Sequence, residues 1–135
     1  MVALTRVTCS RAVVASVAVL ALAGCGSVAA DEVERVGADF AATDDDPVAR
    51  CALLAETTRT SFEADEGQPC DEAIEQLPVG AGEVTAVEVW GEEALVRLSD
   101  DTLFMTRTAD GWRVSAAACT PQGEELPYDC EVTAS

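Results

Sequence analysis

The chain has 135 residues and not one histidine or lysine. Without an imidazole, Ser-His-Asp and Cys-His nucleophile arrangements are excluded, and the commonest general base is missing. Aromatic residues are scarce: two Trp, one Tyr and three Phe make up 4% of the chain, so those that are buried carry much of the core volume. Positive charge rests on eight arginines against 25 Asp and Glu, a formal net charge of −17. Such a surface repels nucleic-acid phosphates and excludes a nucleic-acid role without a bridging metal. Long apolar runs are missing too. The most apolar stretch, Ala12 to Ala23, is twelve residues long, well short of the roughly 20 that a spanning helix needs.

What is present begins with that stretch. Arg6 and Arg11 precede it, no acid occurs before Asp31, and it ends at Leu22-Ala23-Gly24-Cys25. Positive residues ahead of a short apolar segment are the layout of an export signal, and the final four residues have the form of a lipobox. The sequence therefore predicts a lipoprotein signal peptide over residues 1–24 and a thioether-linked diacylglycerol on Cys25. Two or more acyl chains hold a protein stably at a bilayer, whereas one does not. The expected location is the cell membrane, lipid-anchored on the extracytoplasmic face. Cleavage by the ordinary signal peptidase and an uncleaved anchor are the competing readings. Residues 25–30 are expected to be a short tether and residues 31–135 a single domain.

Removal of Arg6 and Arg11 with the signal leaves six basic against 25 acidic residues, a formal −19. Solubility is the simplest reading of that charge, with recruitment of a basic partner or of cations as the alternative. Four cysteines remain besides Cys25: Cys51, Cys70, Cys119 and Cys130. An even number in an exported domain reads as two disulfides with three possible connectivities. The sequence-local pairs, Cys51 with Cys70 and Cys119 with Cys130, are favoured, each closing a short loop at a stabilisation of about 3 kcal/mol. Zinc is disfavoured because no Cys-x-x-Cys spacing occurs. No cofactor or metal is called for. The run Asp44-Asp45-Asp46 invites a calcium reading, but Asp46 ahead of Pro47 is more simply a helix cap, and no EF-hand Gly or closing Glu follows.

Three helical patterns come first. Asp31 to Glu34 has the form of a capping box, and Val33, Val36, Gly37, Phe40 and Ala41 form one apolar stripe. A second helix is expected from Pro47 to about Ala55, with residues 57–62 extending it or forming a separate turn. A third begins at Pro69, with Cys70, Ala73, Ile74 and Leu77 on one face. From Glu83 the period drops to two, giving four strands at Val84–Trp90, Glu93–Leu98, Thr102–Arg107 and Trp112–Ala117. Asp110-Gly111 marks a hairpin, expected as a type I′ turn. Trp112, Val114 and Ala116 are expected on one face of the last strand. The Pro-bounded tail from Cys119 to Cys130 is expected to return on itself, with Glu131 to Thr133 as a short edge strand.

The predicted fold class is α+β: three N-terminal helices packed on a curved four-stranded antiparallel meander with two disulfides. That order resembles the NTF2-like cone fold. Asp39-Phe40, Cys51-Ala52-Leu53-Leu54, Pro69-Cys70, Val87-Glu88-Val89-Trp90-Gly91, Gly111-Trp112-Arg113-Val114 and Pro127-Tyr128-Asp129-Cys130 are similar to a pattern in small lipoproteins of actinobacteria. The resemblance spans essentially the whole mature chain and implies location and fold, not an activity or any functional residue. It also implies a pocket between the helices and the concave sheet face, for which Phe62, Trp90, Phe104 and Trp112 are the candidate lining residues. The alternative is that these aromatics simply fill the core.

The functional expectation is a membrane-anchored, non-catalytic binding or accessory module for a small apolar ligand or a membrane-proximal protein. The alternative is a small carboxylate-based pocket enzyme of the NTF2-like type, using an Asp base or paired acids. Tyr128, the single tyrosine, sits in the terminal disulfide loop rather than on a predicted strand.

Overall fold

A helix that starts on Ala-rich sequence needs no cap residue to propagate, because alanine is the best intrinsic helix former. In the computed structural model, which describes residues 25–43 and 45–135, with side chains from residue 28 onward, the first helix α1 spans Cys25–Ala42. It therefore begins six residues ahead of the expected capping box, and the expected tether is helical. Asp31 and Glu34 lie inside it on the solvent side. The signal segment 1–24 and Asp44 lie outside the described residues. The apolar stripe behaves as the spacing requires: Val33 and Phe40 are fully buried, and Val36 and Ala41 pack at the margin of the core. Gly37 sits where α1 crosses the sheet, and a Cβ there would come within 2.9 Å of Val96.

Pro47–Ala52 forms α2, with Pro47 in its first turn and the Asp46 carboxylate accepting from Ala49 N at 3.0 Å. The apolar spacing would carry this helix on to Ala55, but tertiary pairing stops it. Ala55 N donates to Val114 O at 2.8 Å and Val114 N to Leu53 O at 2.9 Å, so Leu53 ends the helix in the right-handed helical region and Leu54 and Ala55 run beside a strand. The chain then re-enters a helix as α3, Glu56–Glu66, closed by Gly67 in the left-handed region. Thr58 and Phe62 are its buried residues, and the Thr58 hydroxyl donates to Ser115 O at 3.0 Å. Helix α4 is one short turn, Cys70–Ile74, rather than the longer segment that the pattern to Leu77 suggests.

Four helices thus replace the expected three, and five strands the expected four. Strands β1 (Val84–Trp90), β2 (Glu93–Leu98), β3 (Thr102–Thr108), β4 (Gly111–Pro121) and β5 (Tyr128–Thr133) form one antiparallel sheet in sequential order. The first three sit where the alternation places them. The β3–β4 turn differs from expectation in type: Gly111 has φ 102°, while Asp110 is not among the residues with positive φ. The positive φ thus falls on the Gly after the two turn residues, the pattern of a type I turn followed by a bulge.

Strand β4 runs four residues past its expected end because β5 pairs along it. Cys119 and Cys130 are direct partners with Cα atoms 4.0 Å apart, joined by a disulfide. The second bridge, Cys51–Cys70, links α2 to α4 across a Cα separation of 6.1 Å. Both local pairings are present. A register shift between Phe104 and Met105 opposite residues 114–116 makes a bulge in β4. It turns Ala116 away from the Trp112 and Val114 side and hands that side to Ala117.

Helices α1 and α3 cover one face of the sheet. Between them lies a continuous core of Phe40, Phe62, Ile74, Leu103, Met105, Trp112 and Val132, each at most 1% exposed. At about 25 cal/mol per Å² of apolar surface withdrawn from water, each of the large side chains contributes roughly 2 to 3 kcal/mol.

Candidate functional site

Strand alternation decides where the four candidate aromatics go, and it separates them. Trp112 and Phe62 are on the helix-facing side, 0% and 1% exposed. Phe104 lies between Leu103 and Met105, both fully buried in the core, so it points to the opposite face. There it pairs with Leu95 and Ala116, and its ring meets Tyr128 edge-on at 5.2 Å. Trp90, at the end of β1, is 51% exposed. The four residues therefore do not line one cavity. The signal for this was in the sequence: two apolar neighbours on one side outweigh one aromatic on the other.

The outer cluster of Leu95, Phe104, Ala116 and Tyr128 is rimmed by Arg97, which pairs with Glu88. Hydrogen bonding to Glu88, then to the Tyr128 hydroxyl, raises the Arg97 guanidinium above its ordinary value. Tyr128 is thus a strand residue locked into packing. Asp101, in the turn between β2 and β3, is a second structural centre. Its Oδ2 accepts from Gly80 N at 2.8 Å and Ala118 N at 3.0 Å, and its Oδ1 from Thr102 N at 2.7 Å and Cys119 N at 3.0 Å. Ala118 has φ 53°, a left-handed kink that turns two successive N–H groups onto one carboxylate, a small anion-holding nest.

Cys25 is the first residue of α1, and its side chain lies outside the described atoms. Among the described residues no three His, Cys, Asp or Glu side chains gather as metal ligands, and Asp46 is committed to capping α2. No helix among them is long and apolar enough to cross a membrane. The buried polar side chains among them are Arg50, whose guanidinium packs 5.4 Å from the Phe40 ring, and Thr58. The Trp112 indole N–H is buried with no hydrogen-bond partner.

An open groove of about 600 Å³ lies between the α2–α3 junction and the β3–β4 hairpin. Arg59 on α3, Arg107 on β3 and Arg113 on β4 line it, with Glu56 and Asp110 also on its walls. Arg113 Nη1 donates to Trp112 O at 2.9 Å, and the Arg107 guanidinium lies 5.9 Å from the Trp112 ring. Both strand arginines are thereby steered by one buried tryptophan. None of the three has a carboxylate oxygen of a described residue within 4.0 Å. At the same place α3 starts from Ala55, which has no side chain to cap the first-turn N–H groups. Part of this site was legible: Arg107 and Arg113 flank the Asp-Gly turn and must fall on neighbouring strands. Arg59, 48 residues before Arg107, joins them only through tertiary packing. No protein-family model, curated protein or solved structure matches this chain.

Proposed function

We propose that the chain is an exported lipoprotein, acylated at Cys25, whose mature NTF2-like domain is a non-catalytic recognition module held at the extracytoplasmic membrane surface. The observation that carries this reading is a pair of disulfides, Cys51–Cys70 and Cys119–Cys130, downstream of a lipobox at Leu22 to Cys25. Disulfides form and persist in oxidising compartments, the side to which a lipobox directs a chain. The order of helices before an antiparallel sheet supports the NTF2-like reading, with β5 as a fifth strand. Phe40, Phe62, Met105 and Trp112 occupy the space that a ligand would need between the helices and the sheet. Recognition is therefore assigned to the outer surface, where a membrane-proximal protein or ligand is met.

The test is crosslinking and mass spectrometry of the native membrane fraction, with and without reduction, on the wild type and Cys25→Ser. The reading requires a diacylated amino-terminal Cys25, both disulfides oxidised, and release of the Cys25→Ser chain from the membrane. A wild-type chain found in the cytosol with residues 1–24 intact, or a Cys25→Ser chain bound as firmly as wild type, overturns it.

A further inference from the structure

We propose that Arg59, Arg107 and Arg113 form a binding site for a phosphate-bearing group in the groove between the start of α3 and the β3–β4 hairpin. Counter-charges are plentiful in this chain: 25 carboxylates are available to eight arginines. Yet these three arginines line one groove with no carboxylate of a described residue in ion-pair reach. Glu56 and Asp110 on its walls and Glu32 at the hairpin tip balance the three arginines, so the groove is formally neutral in a segment, residues 25–135, that carries −19.

The number of donors selects the anion. A guanidinium presents five N–H donors in a planar fork, and a carboxylate has two oxygens to receive them. Three guanidiniums outnumber those oxygens, whereas a phosphate supplies further acceptors in a tetrahedral array and is bound by arginine through paired, charge-assisted hydrogen bonds. The uncapped first turn of α3 adds donors of the same sign at the same wall. The guanidiniums carry the inference and the helix end adds to it.

The groove also faces a definite end of the molecule. A Cβ placed on Gly111 would lie 3.3 Å from the Glu32 carboxylate, so the hairpin tip touches α1 seven residues after Cys25, about 10 Å along the helix. A lipid headgroup and a soluble phosphate ester are therefore both within the site's chemistry. Only the headgroup source rests on acylation of Cys25.

The experiment follows the arginine Nε–Hε resonances of the ¹⁵N-labelled mature chain in zwitterionic detergent. Inorganic phosphate and a short-chain phosphatidylglycerol are titrated separately, with sodium chloride of matched ionic strength as control. Saturable shifts are expected for Arg59, Arg107 and Arg113, with Arg35 and Arg97 unmoved. Arg107→Gln and Arg113→Gln should each weaken binding by about tenfold or more, Arg35→Gln should leave it unchanged, and Glu56→Gln should tighten it. Saturation by the lipid alone assigns a headgroup, by phosphate alone a soluble ester, and by both the shared group. No saturation with either probe, shifts of all five arginines that sodium chloride reproduces, or unaltered binding in both groove variants overturns the proposal. The phosphate titration on the Cys25→Ser chain keeps this outcome separate from that of the anchoring experiment.

Discussion

Asp101 joins three segments that are distant in sequence: the loop before β1 through Gly80, the start of β3 through Thr102, and the kink in β4 through Ala118 and Cys119. A hydrogen bond to a charged acceptor contributes about 1.5 to 3 kcal/mol, and contacts sharing one acceptor do not add in full. Asp101→Ala leaves four N–H groups without their acceptor and should lower unfolding stability by about 3 kcal/mol in urea denaturation, with an unchanged m-value. Asp101→Asn keeps one acceptor oxygen and should lose roughly half as much. Equal stability of wild type and Asp101→Ala would show that water replaces the carboxylate at no cost. Nothing in the sequence singled out Asp101 from Asp100, because the two differ only in what the folded chain brings to them. The disulfide partners, by contrast, were legible from count and spacing, since short loops close at the lowest entropic cost.

Elements were legible where their apolar period was unbroken, as in β1 and β2 and along the buried stripe of α1. They were not legible where a neighbour took over the backbone hydrogen bonds. The segment Leu53 to Ala55 reads as helix, but the helix stops at Leu53 and Leu54 bridges to β4, because Val114 offers a donor and an acceptor on a stretch of β4 that β5 does not pair. The same holds for β5, whose length follows from pairing with β4 rather than from its own composition. The contact between α1 and β2 gives a sharp test. Alanine is favoured over glycine inside a helix by about 1 kcal/mol, yet at Gly37 its Cβ would lie 2.9 Å from a Val96 methyl. Val96 is fully buried, so its displacement disturbs the packed core around it. Gly37→Ala should therefore destabilise by about 1 to 2 kcal/mol, and Val96→Ala in the same chain should recover part of that loss in a double-mutant cycle. If Gly37→Ala alone raises the melting temperature, α1 does not rest on β2 as described.

For the whole molecule, charge sets the behaviour. Residues 25–135, with 25 acids and six arginines, repel one another on balance, and salt weakens repulsion between exposed charges beyond about 10 Å at 0.1 M. The melting temperature should rise by a few degrees between about 10 mM and 0.3 M sodium chloride. A fall over that range would mean that attractive pairs outweigh the repulsion, although Arg97–Glu88 is the only salt bridge between described residues. Low salt would also sharpen the contrast between the arginine groove and its surroundings. The amino-acid sequence by itself determined the cysteine pairs, the order of helices before strands and the sign of the surface, because each depends on composition or on short-range periodicity. The tertiary structure decided that Phe104 and Trp90 leave the core, that the second helix breaks at Ala52, and that Asp101 binds three segments. It also decided that Arg59 meets Arg107 and Arg113. Each of these depends on which distant backbone or side chain fills the next place in space, and local sequence carries no record of that.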